Sequence, residues 1–297
     1  MNIDSQQSAL EKITTLVVLK NGSNLLMDDE NHFNRNYQEA IAAQIREIRK
    51  QLGETVAFVI VSSGAVAAGR DRAGKNRRLM NDQALAALGQ PLLMKSWDEA
   101  FIGQTEGEED ILVAQALVTK IDFASKRRRK NIRDTLASLL ATGVIPILNE
   151  NDTVCVEELK YVKADATQET REKTAMANDA LSAMVTEEVL KMFAELNLTQ
   201  KFFILASDVD GVYDKNPRGN PDAILYPEIS IAGLEAIDAN GKGENGAGGM
   251  ETKIGAAKTI KSSYPDCRVF VLNGNKPNFL TKIVLEGENP GSEIVAA

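Results

Sequence analysis

Histidine is nearly missing from this sequence: His32 is the only one in 297 residues. That excludes a metal centre built from several histidines and argues against a Ser-His-Asp nucleophile system. Cysteine is almost as scarce. Cys155 and Cys267 lie far apart and no C-x-x-C occurs, so neither a disulfide framework nor a zinc site is indicated. No apolar run approaches the roughly 18 residues of a membrane span, and the N-terminus lacks the basic-then-apolar pattern of a signal peptide. The expected location is cytoplasmic, with no membrane partner. Positive charge is in deficit, with 34 Lys and Arg against 42 Asp and Glu, a net charge of −8 and a pI near 5.0. This excludes a general binder of nucleic acid or anionic membrane. The run Lys126-Arg127-Arg128-Arg129-Lys130 is the local exception and reads as a solvated helix face. There is no internal repeat and no Pro/Ser-rich linker.

What is present is an alternation. Short runs rich in Val, Ile, Leu and Phe occupy 15–19, 57–61, 144–148, 202–205 and 269–272, and read as strands buried on both faces of a parallel sheet. Helical spacing covers 37–52, 82–101, 130–141, 179–195 and 252–262. Strands alternating with helices predict an α/β fold with a central, mostly parallel sheet between two helical layers. A single domain over 1–297 is expected, with a change in functional character near residue 197. Each strand runs into a polar loop: Lys20-Asn21-Gly22-Ser23-Asn24, Ser62-Ser63-Gly64-Ala65, Asn149-Glu150-Asn151-Asp152, Ala206-Ser207-Asp208 and Asn273-Gly274-Asn275. Open α/β sheets bind ligands outside the carboxyl ends of their strands, where these five loops should gather.

The segment Gly246-Ala247-Gly248-Gly249-Met250-Glu251-Thr252-Lys253 adds a chemical preference. Glycines let backbone N–H groups approach an anion, a helix N-terminus follows, and a lysine can neutralise charge on a polyphosphate. A flexible connector before a helix is the competing reading of the same residues. Two other pattern matches carry nothing. Gly241 to Gly246 fits G-x-G-x-x-G, but no convincing strand precedes it. Gly64 to Asp71 has P-loop spacing, yet Arg70 and Asp71 replace the Lys-Ser/Thr pair that contacts phosphate and Mg2+.

Taken in order, several blocks of the chain resemble the amino-acid kinase family over roughly residues 15–285. They are Lys20-x-Gly22-Ser23, Val61-Ser-Ser-Gly-Ala-Val-Ala-Ala-Gly-Arg70, Gln83-Ala-Leu-Ala-Ala-Leu-Gly-Gln90 and Gly143-Val-Ile-Pro-Ile-Leu-Asn-Glu-Asn-Asp-Thr-Val154. Asn178-Asp-Ala-Leu-Ser-Ala183, Ser207-Asp-Val-Asp-Gly-Val-Tyr-Asp214, Asn216-Pro-Arg-Gly-Asn-Pro221 and the Gly246 to Lys253 segment complete the set. The Val61 and Asn149 blocks are similar to the branch that acts on free glutamate, rather than on acetylglutamate, aspartate, carbamate or UMP. The chain departs from the family pattern at Asn21, at Ala247, at Met176-Ala177 and in a charged insertion over 162–175. Many bacterial members carry a C-terminal PUA domain, and the resemblance implies a short form without one.

The resemblance implies an amino-acid kinase fold and transfer of phosphate from MgATP to the γ-carboxylate of L-glutamate, the first step of proline biosynthesis. It implies an amino-acid lobe over 1–196 and an ATP lobe over 197–297. Lys20 and Lys253 would be the catalytic cations and Asp179 would orient them. Ser63, Asp152 and Asn178 would hold glutamate. Lys20, Gly22, Ser207, Asp208, Gly246, Ala247, Gly248, Gly249, Met250 and Lys253 would face ATP, with Mg2+ brought by the nucleotide and no metal site of the protein's own. A homodimer or tetramer and feedback by proline are further expectations. Taken singly, the two lysines are ordinary solvated lysines, Asp152 caps the next segment, Asp179 sits where a helix N-cap belongs, and Ser63 fills a tight turn. The rival to an enzyme is a degenerate kinase fold serving as a regulatory or structural binding protein.

Overall fold

The five apolar runs do form adjacent parallel strands, because a run buried on both faces can only sit inside a covered sheet. The computed structural model describes residues 3–28, 30, 32–103, 108–154, 168–240 and 248–296. The strands are β1 (Thr15–Asn21), β2 (Val56–Ser62), β3 (Val113–Val118), β4 (Ile145–Glu150), β5 (Gln200–Ser207), β6 (Glu228–Ser230), β7 (Arg268–Asn273) and β8 (Ser292–Val295). They make one sheet in the order β3-β4-β2-β1-β5-β7-β8-β6, parallel throughout except where β7 meets β8. The strands before residue 197 form one half of this sheet and those after it the other half.

Alternation along each strand separates two cores. Leu16 and Val18 face one side, where they join Leu136 and Leu140 of α6 (Lys126–Ala141), Leu181 and Val185 of α7 (Gln168–Met192), and Ile254 and Ala257 of α9 (Gly248–Ser263). Val17 and Leu19 face the other side, against Ile41 and Ile45 of α2 (Asn36–Leu52) and Leu93 and Trp97 of α4 (Asp82–Phe101). The remaining α-helices among the described residues are α1 (Ile3–Glu11), α3 (Ala65–Ala73), α5 (Lys120–Ala124), α8 (Ile231–Asn240) and the single turn α10 (Phe279–Thr281). The layers are helix, sheet, helix, as expected from the alternation.

α3 and α4 pack backbone to backbone. A Cβ built on Gly69 would stand 1.8 Å from Leu85 O, and one on Gly89 would stand 1.9 Å from Ala65 O. Backbone atoms cannot swing aside, so Gly89→Ala must force the helices apart. A loss of about 1–3 kcal/mol of stability is expected from such overpacking, read as a lower urea midpoint; an unchanged midpoint would mean the helices separate freely.

The basic run opens α6 on an exposed face, where Arg128 pairs with Asp122 at 2.7 Å and Lys130 with Asp134 at 2.5 Å. Cys267 is buried, and burial pushes its thiol up to about 12, so it stays protonated. Cys155 lies outside the described residues. Among the described residues no helix is long and apolar enough to cross a membrane. The segment 241–246 with its G-x-G-x-x-G spacing also lies outside them.

Candidate active site

Register brings the five loops level. Asn21 is aligned with Ser62 on one side and with Ala206 on the other, Val61 with Leu148, and Ser207 with Asn273. Because these strands run parallel, their carboxyl ends share one edge. The chain leaves β1 toward β2 on one side and has β5 on the other, so the switch of direction, where open α/β sheets bind ligands, falls at this edge.

Lys20 is the penultimate residue of β1 and, one residue out of phase with Leu19, faces the α7–α9 layer. It is 3% exposed, a low value for an ammonium, and its Nζ lies 2.5 Å from Asp179 Oδ1. Lys253 comes from the start of α9 and its Nζ lies 3.7 Å from Asp179 Oδ2. Its Nζ also donates to Gly249 O at 2.8 Å. Thr252 Oγ1 donates to Asp179 Oδ2 at 2.5 Å and to Gly249 O at 3.1 Å. One carboxylate therefore holds two lysines that come from opposite halves of the sheet.

Electrostatics follow from that burial. Desolvation alone would raise the Asp179 carboxyl, but the Lys20 and Lys253 charges and the hydrogen bonds from Lys20 and Thr252 outweigh it. The carboxyl is held below the usual carboxylate range. Lys253 is pushed below the ordinary lysine value by burial and then by the nearby Lys20 charge, against the opposing pull of Asp179 and Asp208. An anion entering beside Lys253 would draw its pKa back up. Two buried ammonium groups with a single carboxylate leave the cluster cationic, which suits a polyphosphate.

The other expected residues take these places. Gly22 follows β1, its N–H donating to Ala206 O at 3.1 Å, and a Cβ there would meet that oxygen at 3.5 Å. Ser207 ends β5. Asp208 follows it and is held by Asn24 Nδ2 at 2.9 Å and by Arg218 at 2.5 Å. Burial opposes the charge on Asp208, yet the Asn24 hydrogen bond and the Arg218 charge keep its carboxyl below the usual range. Gly248, Gly249 and Met250 open α9, and Met250 packs against the core beneath the sheet. Gly246 and Ala247 lie outside the described residues, as do the Met176 and Ala177 side chains and the segment 155–167.

Ser63 stands in the turn after β2 and Asp152 in the turn after β4, outward from Lys20 by one and two strands. Gly64, at φ 107°, caps the start of α3 without any side-chain bond, which leaves the first N–H groups of that helix turned toward the edge. A side chain at Gly64 would also meet Leu26 Cδ1 at 2.6 Å. Asn178 precedes Asp179 on α7, and its Oδ1 is buried with no hydrogen-bond partner among the described residues.

One alternative from the sequence is corrected here. α7 begins at Gln168, so Asp179 lies inside the helix and caps nothing. Three contributors went unassigned in the sequence: Thr252, Asn24 and Arg218. Arg218 belongs to the Asn216-Pro-Arg-Gly block, which pointed to it; nothing local marked Thr252 or Asn24 as carboxylate partners.

Comparison with known proteins bears on the family and the fold. The model of the amino acid kinase family matches residues 15–273. A glutamate 5-kinase of Geobacter metallireducens is 39% identical over 93% of this chain and 66% of its own length. A glutamate 5-kinase of Alkaliphilus metalliredigens is 39% identical over 91% of this chain and 92% of its own. The chain thus spans about two thirds of the first relative and nearly all of the second. Among solved structures, a carbamate kinase from Giardia lamblia bound to AMP-PNP covers 97% of this chain and 100% of its own, at 12% identity and a TM-score of 0.60. That likeness concerns the fold alone.

Proposed function

Because the chain belongs to the amino acid kinase family, we propose that it transfers the γ-phosphoryl group of MgATP to the γ-carboxylate of L-glutamate. The product is L-glutamyl 5-phosphate, which leads toward proline. The observation that carries this reading is the buried Lys20–Asp179–Lys253 cluster at the carboxyl edge of the sheet.

The chemistry asks little of a general base, since a carboxylate is already a nucleophile at neutral pH. Its oxygen attacks the γ-phosphorus in line while the bond to the β,γ-bridging oxygen breaks and ADP leaves. The barrier lies in bringing two anions together and in the charge spread over the transferring group. Lys20 and Lys253 meet that charge from the two halves of the sheet, and Asp179 fixes their spacing. Gly22, Ser207, Asp208 and the α9 start with Gly248, Gly249 and Met250 form the nucleotide side, which Gly246 and Ala247 join through their motif. Asp152 and Asn178, whose buried Oδ1 lacks a partner among the described residues, receive the α-ammonium of glutamate. The N–H groups at the start of α3, beside Ser63, receive its α-carboxylate. Mg2+ neutralises phosphate charge when it arrives with ATP; among the described residues no three His, Cys, Asp or Glu side chains gather to hold it unaided. The strands before residue 197 then serve the amino acid and those after it the nucleotide.

The test is a panel of acceptors with MgATP, read as ADP release. L-Glutamate is expected to give the highest kcat/KM among glutamate, N-acetylglutamate, aspartate, carbamate and UMP, and hydroxylamine should trap a γ-glutamyl product. Equal turnover of N-acetylglutamate or aspartate would overturn the substrate and spare the fold. ATP binding without turnover of any acceptor would favour a regulatory protein.

A pH profile tests the cluster itself. Lys253 sits below the ordinary lysine value, so the alkaline limb of kcat/KM should fall at a pH below about 10.4. Lys253→Arg should push that limb upward, because guanidinium stays charged. An identical limb in both proteins would assign it to another group.

A further inference from the structure

The block Gln83-Ala-Leu-Ala-Ala-Leu-Gly-Gln90 has no part in the roles given above. It lies on α4, and α4 reaches both loops of the proposed glutamate pocket. Trp97, fully buried, donates from Nε1 to Ser62 Oγ at 2.9 Å, and Ser62 Oγ donates to Ser63 O at 3.1 Å. Two turns earlier on α4, Gln90 Oε1 accepts from Asn149 Nδ2 at 2.9 Å. Asn149 Oδ1 in turn accepts the Glu150 N–H at 2.9 Å. These bonds fix the last residues of β2 and β4, one residue before Ser63 and two before Asp152. The Gly89 contact with Ala65 O ties the start of α3 to the same helix.

We propose that α4 is a brace for the amino-acid acceptor, with Trp97 and Gln90 as positioning residues that set the spacing between the β2–α3 turn and the Asn149–Asp152 segment. Among the described residues neither Trp97 nor Gln90 bonds to the Lys20–Asp179–Lys253 cluster or to Asp208, so the brace acts on one substrate and leaves the other alone. The physical reason is satisfaction of buried polar atoms: Ser62 and Asn149 are 0% and 2% exposed, and each has a hydrogen bond to α4 that water cannot replace in place. Losing that bond frees the loop to shift, so binding glutamate must first re-order it, and that ordering cost appears as weaker glutamate binding. The inference rests on the glutamate reading of these loops.

The test is steady-state kinetics on the full chain with each substrate varied in turn. Trp97→Phe, Ser62→Ala and Gln90→Leu are each expected to raise the glutamate KM roughly tenfold with the ATP KM within about twofold of wild type. Ser62→Thr keeps the hydroxyl and should restore the glutamate KM. Trp97→Phe combined with Ser62→Ala breaks a single bond twice and should be no worse than either alone. Trp97→Phe with Gln90→Leu frees two different loops and should lose roughly a hundredfold in kcat/KM for glutamate. Both Michaelis constants rising together, or kcat falling at unchanged glutamate KM, would overturn the brace and leave α4 a purely structural helix. Wild-type turnover of glutamate tests the underlying reading separately. If another acceptor is preferred, the same variants are compared with that acceptor.

Discussion

Asp179→Asn is expected to destabilise the protein by about 3–5 kcal/mol, the scale of removing one partner from a buried ion pair. The carboxylate is the shared neighbour of two buried ammonium groups at 2.5 and 3.7 Å. Without it, Lys20 and Lys253 repel each other in a poorly solvated space. An amide oxygen could still accept from Thr252, so the loss reports charge rather than shape. Urea unfolding of both proteins near pH 7 measures it. The pH dependence has a definite sign. The native Asp179 carboxyl is held below its unfolded value, so its contribution is complete above about pH 4, the ordinary carboxylate value. It fades as pH falls through the depressed native value, and the gap between wild type and variant should close over that acid range. A difference under about 1 kcal/mol at pH 7 would mean that the two lysines find other anions or water, and the cluster would lose its structural standing. Kinetically the same variant should fall steeply in kcat, because the lysines lose their fixed spacing.

Lys253→Ala is expected to lower kcat by about two to three orders of magnitude, the cost of deleting one preorganised contact to a transition state. The glutamate KM should change little, because Lys253 stands on the α9 side and not beside Ser63 or Asp152. Lys20→Ala should behave alike, with added loss of stability, since its Nζ makes the shorter contact with Asp179. Single-turnover measurement of ADP release separates chemistry from product departure. A near-normal kcat in either variant would return that lysine to a structural ion pair, and the phosphoryl-transfer reading would have to rest on the other lysine alone.

Legibility differed by element for physical reasons. β1, β2, β4, β5 and β7 were readable because a strand covered on both faces must be apolar throughout. β3, β6 and β8 were missed. β3 is an edge strand with mostly half-buried residues, and β6 and β8 are three and four residues long. Such short or half-exposed segments carry no distinctive period. α4 was read to its ends from its helical spacing over 82–101; in the structure Asn81 caps it, accepting from the Ala84 N–H. The start of α7 was placed eleven residues too late: the reading began the helix at 179, whereas it runs from Gln168. Its first turns lie in the charged stretch, where no apolar stripe announces a helix.

By itself, then, the sequence determined the parallel sheet, its five carboxyl-end loops and the family, since buried strands and ordered motifs are written in local residue choice. Lys20, Asp179 and Lys253 were each visible as members of motifs, but no local pattern says that lysines on β1 and α9 share one carboxylate from α7. Only the tertiary structure decided that. The strand order places β1 between β2 and β5, and the phase of β1 turns Lys20 toward the α7–α9 layer while Asn21 turns to the opposite face. The same holds for Trp97 and Ser62, for Gln90 and Asn149, and for Asn24, Arg218 and Asp208. Each is a hydrogen bond or ion pair between residues on different elements, and its formation depends on packing of the helical layers against the sheet.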